Sequence, residues 1–430
     1  MSILIKNGHV IDPANNRDEV LDILIEWTKI KKIGKSLAVE ADEIIDATGL
    51  VVTPGLIDMQ VHFREPGRED KETIETWSRA CLAWGITSVV TMPNTHPTVD
   101  WQSQVRYIIN RSKELDLINV YPSWAITKKL EWNELSEMWE MKQSGVVAVT
   151  DDGHDVQDEW LLLRAMKYAK THDMLLMSHC ECEDLTEDGV MHEWWVSTQL
   201  GLPGTSDVTE DMSVWKNILL AEKSGCRFHL LHNSTKWAMD AIRIAKKEKK
   251  LTNISAEVSV QHFALTDEEC FGYNTNAKMY PPLRSHDHVD AVVEAIREWL
   301  IDAFTTDHAP HTEPDKMKSF QDASFWSTWV ETSFAVMNTY LVETGHIPLV
   351  EGIRMMTSGP ARIIRIDKWT LSEWADADIA LFDTKQEWIV NPEKSYSKGK
   401  NCIFNGKKLT GKAVYTLVGG RVKMKDGSIL

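Results

Sequence analysis

Between residues 56 and 306 the chain repeats one pattern: a short apolar run, a few polar residues, then a helical stretch. The apolar runs are Leu56–Val61, Ser88–Met92, Ile118–Ile126, Val146–Thr150, Met174–Ser178, Phe228–Leu231, Ile254–Val258 and Ile301–Thr306. Runs that lack polar alternation read as strands buried on both faces, as parallel strands are. Helical periodicity follows in Thr73–Leu82, Gln104–Leu115, Asn133–Gln143, Asp158–Lys170, Ser213–Ser224, Ala238–Lys249 and His288–Leu300. Eight such alternations predict a (β/α)8 TIM-like barrel. A doubly wound open sheet is the alternative, but no G-x-G-x-x-G follows the first strand.

The flanks differ. Residues 1–52 carry short strands at Ile3–Lys6, Val20–Glu26, Lys29–Ile33 and Glu43–Asp46. Residues 376–430 carry strands at Asp378–Phe382, Ala413–Val418 and Arg421–Lys425, with Gly419-Gly420 as a tight turn. This predicts a small composite β-sandwich domain made from both chain ends, beside a barrel spanning 53–375.

A net charge of −17 offers no basic footprint for nucleic acid or an anionic membrane surface. No apolar run reaches the ~18 residues of a membrane span, and the N-terminus enters strand and turn directly, without a signal-peptide pattern. Six scattered cysteines fit a reducing cytoplasm. Cys180 and Cys182 have no second close pair to complete a structural zinc site.

The polar residues fall at the C-terminal ends of the predicted strands, where barrel enzymes assemble their chemistry. There stand His62 and Arg64, then Asn94, Asp151-Asp152, His179-Cys180-Glu181, His232-Asn233 and Asp307-His308-Ala309-Pro310-His311. Gln60 and His62, two apart on a strand, face the same side. Three imidazoles and two carboxylates on one rim form a donor set for a borderline divalent metal, most often Zn2+. Arg64 offers a bidentate fork for a substrate carboxylate, with Asn94 as a second donor. His286 and His288, on a polar loop after Arg284, read as solvated; His192 and His346 carry no pattern.

These residues resemble the bacterial class I dihydroorotases of the amidohydrolase superfamily. The resemblance runs through Val61-His62-Phe63-Arg64-Glu65-Pro66-Gly67, Lys71-Glu72-Thr73, Met92-Pro93-Asn94-Thr95, Asp151-Asp152-Gly153, Pro281-Pro282-Leu283-Arg284 and Thr306-Asp307-His308-Ala309-Pro310-His311. It implies the barrel and composite β domain already read. It also implies a cytoplasmic enzyme that interconverts N-carbamoyl-L-aspartate and dihydroorotate in pyrimidine synthesis. His62 and Asp307 would hold a first metal, His179 and His232 a second, and Asp152 would bridge, for one or two Zn2+ ions. Asp307 would shuttle the proton; Arg64, Asn94 and His311 would bind the substrate carboxylate beside His62. A homodimer and a partnership with aspartate carbamoyltransferase are further family properties; hydantoinases and allantoinases are the alternative relatives.

Three residues depart from the family pattern inside the site. Gln60 replaces the first histidine of an H-x-H pair, Tyr280 an asparagine, and Trp326 a glycine. The last belongs to a wider set: Trp27, Trp77, Trp84, Trp194, Trp237, Trp326, Trp329, Trp369 and Trp374 stand where the family carries glycine. A gene whose UGA codons are read as glycine, conceptually translated with UGA as tryptophan, would give this pattern. Those tryptophans are then expected at backbone positions that favour glycine. The bland alternative is a diverged, tryptophan-rich relative with an altered site or with catalysis lost.

Overall fold

A computed structural model describes residues 2–430. Eight parallel strands follow the predicted apolar runs: Leu56–Val61, Ile86–Thr91, Asn119–Trp124, Ala148–Val149, Leu175–Ser178, Arg227–Leu230, Ile254–Ser259 and Ala303–Thr305. Every residue of the first two is buried, as parallel strands covered by helices must be. The barrel closes where Val61 bridges His308 in parallel and the His62 N–H donates to the His308 carbonyl at 3.0 Å. Asp58 fastens the same seam, accepting from the Thr305 hydroxyl at 2.9 Å and the Thr306 hydroxyl at 2.5 Å. Burial raises the Asp58 carboxyl to about 7, against the pull of those hydrogen bonds.

Helices start where the sequence supplies caps. Thr73 and Thr76 form a capping box for Ile74–Ala83, Asp158 accepts from the Leu161 N–H, and Thr235 from the Ala238 N–H. The predicted helix at 133–143 shortens to Met138–Gln143. Just before it Lys129, Leu130 and Trp132 hold left-handed φ values of 56°, 61° and 54°, which no helix continues through. Two helices absent from the sequence expectation, Leu349–Met356 and Ser358–Ile364, follow the eighth strand.

The chain ends build one nine-stranded sheet. Its centre is Val51–Pro54, which lies parallel to Ser2–Asp12 and antiparallel to Ile379–Ile389. Lys408–Val418, Arg421–Lys425 and Ser428–Ile429 extend one side; Arg17–Glu26 and Lys29–Gly34 extend the other, and Glu43–Asp46 also pairs with Ser2–Asp12 in parallel. The apolar core is continuous between sheet and barrel: Phe382 stacks on Phe334 at 3.9 Å, and the Thr416 hydroxyl donates to the Leu82 carbonyl. Among the described residues no helix is long and apolar enough to cross a membrane.

Candidate active site

Six of the eight strands deliver polar side chains to one end of the barrel, and five of those groups meet. His62, Asp152 and Asp307 form one triad of possible ligand atoms, and Asp152, His179 and His232 a second; within each, the atoms lie within 4.8 Å of one another. Asp152 is common to both. Its Oδ2 is 3.4 Å from His62 Nε2, and its Oδ1 is 3.6 Å from His232 Nε2 and 3.8 Å from His179 Nδ1. His62 Nε2 is 3.0 Å from Asp307 Oδ1, and His179 Nδ1 is 2.9 Å from His232 Nε2. All five residues are buried.

The donor chemistry tests whether a cation fits. His62 Nδ1 lies 2.9 Å from the Asn94 amide oxygen, which only accepts, so the ring proton sits on Nδ1 and the Nε2 lone pair faces the two carboxylates. His179 Nε2 lies 3.4 Å from Glu181 Oε2, turning the Nδ1 lone pair inward in the same way. Asp152 Oδ2 and Gln60 Oε1 are buried acceptors with no hydrogen-bond partner. Lone pairs and carboxylates packed against one another repel unless a cation lies among them, so these residues fit a divalent metal.

Protons on the imidazoles would take that cation's place. Burial opposes ionisation of Asp152, yet the His232 hydrogen bond and the charges of His62, His232 and His179 hold its carboxyl below the usual range. Burial would lower His179, but Glu181, first by hydrogen bond and then by charge, lifts it to about 9. Arg64, His232, Asp307 and Trp326 have φ of 63°, 30°, 49° and 71°, so backbone strain gathers at this rim.

Gln60 reaches the centre as its strand position predicts. Its amide nitrogen donates to Asp152 Oδ1 at 3.0 Å, occupying one oxygen of the shared carboxylate. Beside the triads, a cavity of about 450 Å3 is lined by Arg64, Arg68, Lys71, Asn94, Thr95 and His96. His311 lies against it, with Nε2 3.3 Å from Arg64 Nη2. Burial lowers Arg64 to about 10 and, with the neighbouring Arg64 and Lys71 cations, keeps the His311 ring neutral.

Tyr280 and Trp326 roof this centre together. The Tyr280 ring stacks on His179 at 5.6 Å and its hydroxyl donates to Glu181. The Trp326 indole N–H donates to the Tyr280 carbonyl at 2.9 Å, and its ring lies parallel to His311 at 6.3 Å.

Other predicted rim residues stay outside the centre. Asp151 accepts from the Ile126 and Thr127 backbone and caps that turn. His308 Nδ1 accepts from the Trp329 N–H, directing its Nε2 toward Glu72 and Ser397. His288, expected in solvent, is buried: its Nδ1 accepts from the Lys236 N–H at 3.0 Å, while His286 is exposed as expected. The loop before it turns inward because Arg284 pairs with buried Glu210 at 3.2 Å. Lys71 stood in the sequence only as part of the Lys71-Glu72-Thr73 motif, without a role, because its contacts His311 and Asp315 are remote in the chain.

Comparison with known proteins places this geometry. A family described as "Dihydro-orotase-like" matches residues 49–238. The chain is similar to the dihydroorotase of Geobacter metallireducens, 44% identical over 426 residues and covering 99% of this chain and 100% of that one. It is also similar to the dihydroorotase of Syntrophus aciditrophicus, 42% identical over 428 residues, with 99% and 100% covered. Among solved structures, L-hydantoinase from Arthrobacter aurescens superimposes with a TM-score of 0.88 at 23% identity, covering 100% of this chain and 97% of that one. D-hydantoinase from a Thermus species gives 0.84 at 22%, covering 100% and 96%. At those identities the solved structures speak for the fold alone.

Proposed function

The chain belongs to the dihydroorotase family, and from that membership we propose that it interconverts N-carbamoyl-L-aspartate and dihydroorotate in the cytoplasmic synthesis of pyrimidines. The observation that carries the reading is the pair of ligand triads sharing Asp152 beside a cationic cavity. It supports one centre that hydrolyses an amide next to another that holds a carboxylate.

His62, Asp152 and Asp307 would hold a first ion, and Asp152, His179 and His232 a second. A bound Zn2+ supplies a Lewis acid for the amide carbonyl and lowers the pKa of a water. In the ring-opening direction water adds to the ring carbonyl carbon and the C–N bond breaks. Asp307 takes a proton from the water and passes it to the departing nitrogen. Ring closure runs the same steps in reverse and releases water. Arg64, Asn94 and His311 hold the substrate carboxylate, fixing the reacting amide beside His62 and Asp307. Trp326 and Tyr280 narrow the approach to the centre.

The test is turnover of dihydroorotate and of N-carbamoyl-L-aspartate by the zinc-loaded protein, with Asp307→Asn inactive. Hydantoin or allantoin turned over in their place would overturn the reading.

Gln60 favours a second reading, a subunit of impaired catalysis that partners aspartate carbamoyltransferase. Its amide occupies an oxygen of Asp152 where the family has an imidazole. Activity restored only in Gln60→His, together with co-elution with that enzyme on gel filtration, would establish it. The same column tests the homodimer.

A further inference from the structure

The cationic cavity holds a residue to which nothing above gives a role. Lys71 is buried, and its Nζ lies 2.9 Å from His311 Nδ1 and 3.0 Å from Asp315 Oδ2. Burial lowers the Lys71 ammonium, but the adjoining Asp315 carboxylate opposes this and favours the charged form, and an ammonium group only donates hydrogen bonds. His311 Nδ1 is therefore the acceptor. A neutral imidazole with Nδ1 as acceptor carries its proton on Nε2.

Nε2 in turn lies 3.3 Å from Arg64 Nη2, which also only donates. One neutral ring cannot accept at both nitrogens. The shorter contact, to Lys71, decides the tautomer, and the longer Arg64 contact becomes two N–H groups side by side with no acceptor between them. Such a pair awaits an anion with two oxygens.

We propose that Lys71 is a positioning residue that fixes His311 as the Nε2–H tautomer, so that His311 and Arg64 present parallel donors to the substrate carboxylate. This rests on the proposed function for the identity of the carboxylate, but the tautomer does not depend on it. Asp315 holds Lys71 from the side, its Oδ2 also lying 3.7 Å from His311 Nδ1, and the His311 backbone N–H donates to the Asn401 side-chain oxygen at 3.2 Å, so the ammonium and the backbone that carries the ring are both anchored. Without Lys71 the ring is free to turn its lone pair toward Arg64 and withdraw a donor from the substrate.

Two measurements test this. In protein labelled with 15N-histidine, with His311 assigned by comparison with His311→Gln, nitrogen shifts report the tautomer directly. Wild type is expected to show protonated Nε2 and bare Nδ1. Lys71→Met should show the opposite tautomer or an exchanging mixture, and Lys71→Arg the wild-type pattern. A protonated Nδ1 in wild type overturns the proposal without any variant having to fold.

Kinetically, Lys71→Met should raise KM for dihydroorotate on the order of tenfold, with a much smaller change in kcat, and Lys71→Arg should recover most of it. An unchanged KM, or a loss confined to kcat, overturns the positioning role. Absence of turnover by wild type overturns the proposed function instead and leaves the tautomer measurement standing.

Discussion

At Gln60 the centre carries an amide where the family pattern leads one to expect an imidazole. An amide oxygen is a poorer ligand than imidazole for a borderline metal, and the Gln60 amide nitrogen also competes for Asp152. Gln60→His is therefore expected to raise the zinc retained after gel filtration from about one ion per chain towards two, read by elemental analysis. Trp326 acts on the same centre from above. With φ at 71° its backbone is held where glycine rests without strain, and its indole shares the pocket with His62 and His311. Trp326→Gly should raise kcat/KM about tenfold or more by admitting substrate, with the change mostly in KM. Both residues were legible in the sequence as departures from a pattern. Lys71 was legible as part of a motif but its burial and role were not, because its partners lie 240 and more residues away.

Individual elements show what the tryptophans do to local structure. In the hairpin between Arg17–Glu26 and Lys29–Gly34, Trp27 sits at φ 58° with 76% of its surface exposed; Trp374, whose N–H donates to Ile30 of that hairpin, sits at φ 70° and is 63% exposed. A bulky side chain there strains the backbone and gains little burial. Trp27→Gly and Trp374→Gly should each stabilise the fold by about 0.5–1 kcal/mol in urea denaturation. Only these two and Trp326 among the nine suspect tryptophans are left-handed; Trp77 and Trp329 are fully buried, so the glycine expectation holds at turns and not throughout. The reading frame decides the rest: UGA at these codons supports recoding, and UGG rejects it.

A second element-scale test lies between the sixth and seventh barrel strands, where buried Glu257 meets His229 at 3.0 Å. Burial lifts Glu257 to about 8 and lowers His229 to about 3, so both are neutral near pH 7. A raised carboxyl contributes stability below its unfolded value of 4.5, and that contribution is lost as pH climbs towards about 8. Metal-free wild type should therefore weaken relative to Glu257→Gln between those limits, on the order of 2 kcal/mol, visible as diverging melting temperatures.

Across the whole molecule, the division into a barrel and an end-built sheet was legible because buried parallel strands and short hairpins leave different patterns in the sequence. What stayed hidden was their dependence on each other. Val51–Pro54 pairs with strands from both ends, and Phe382 lies in the same core as the barrel helices. One calorimetric transition is expected, and residues 53–375 expressed alone should lack fixed tertiary structure by near-ultraviolet circular dichroism. The inward turn of His288 escaped for a related reason, since it depends on Glu210 on a distant helix. Barrel closure at Val61 and His308 also sets an order of events during synthesis. Asp152, His179 and His232 are all translated well before Asp307, and the strand that pairs with Val51–Pro54 comes later still. The first triad cannot exist until the last barrel strand arrives.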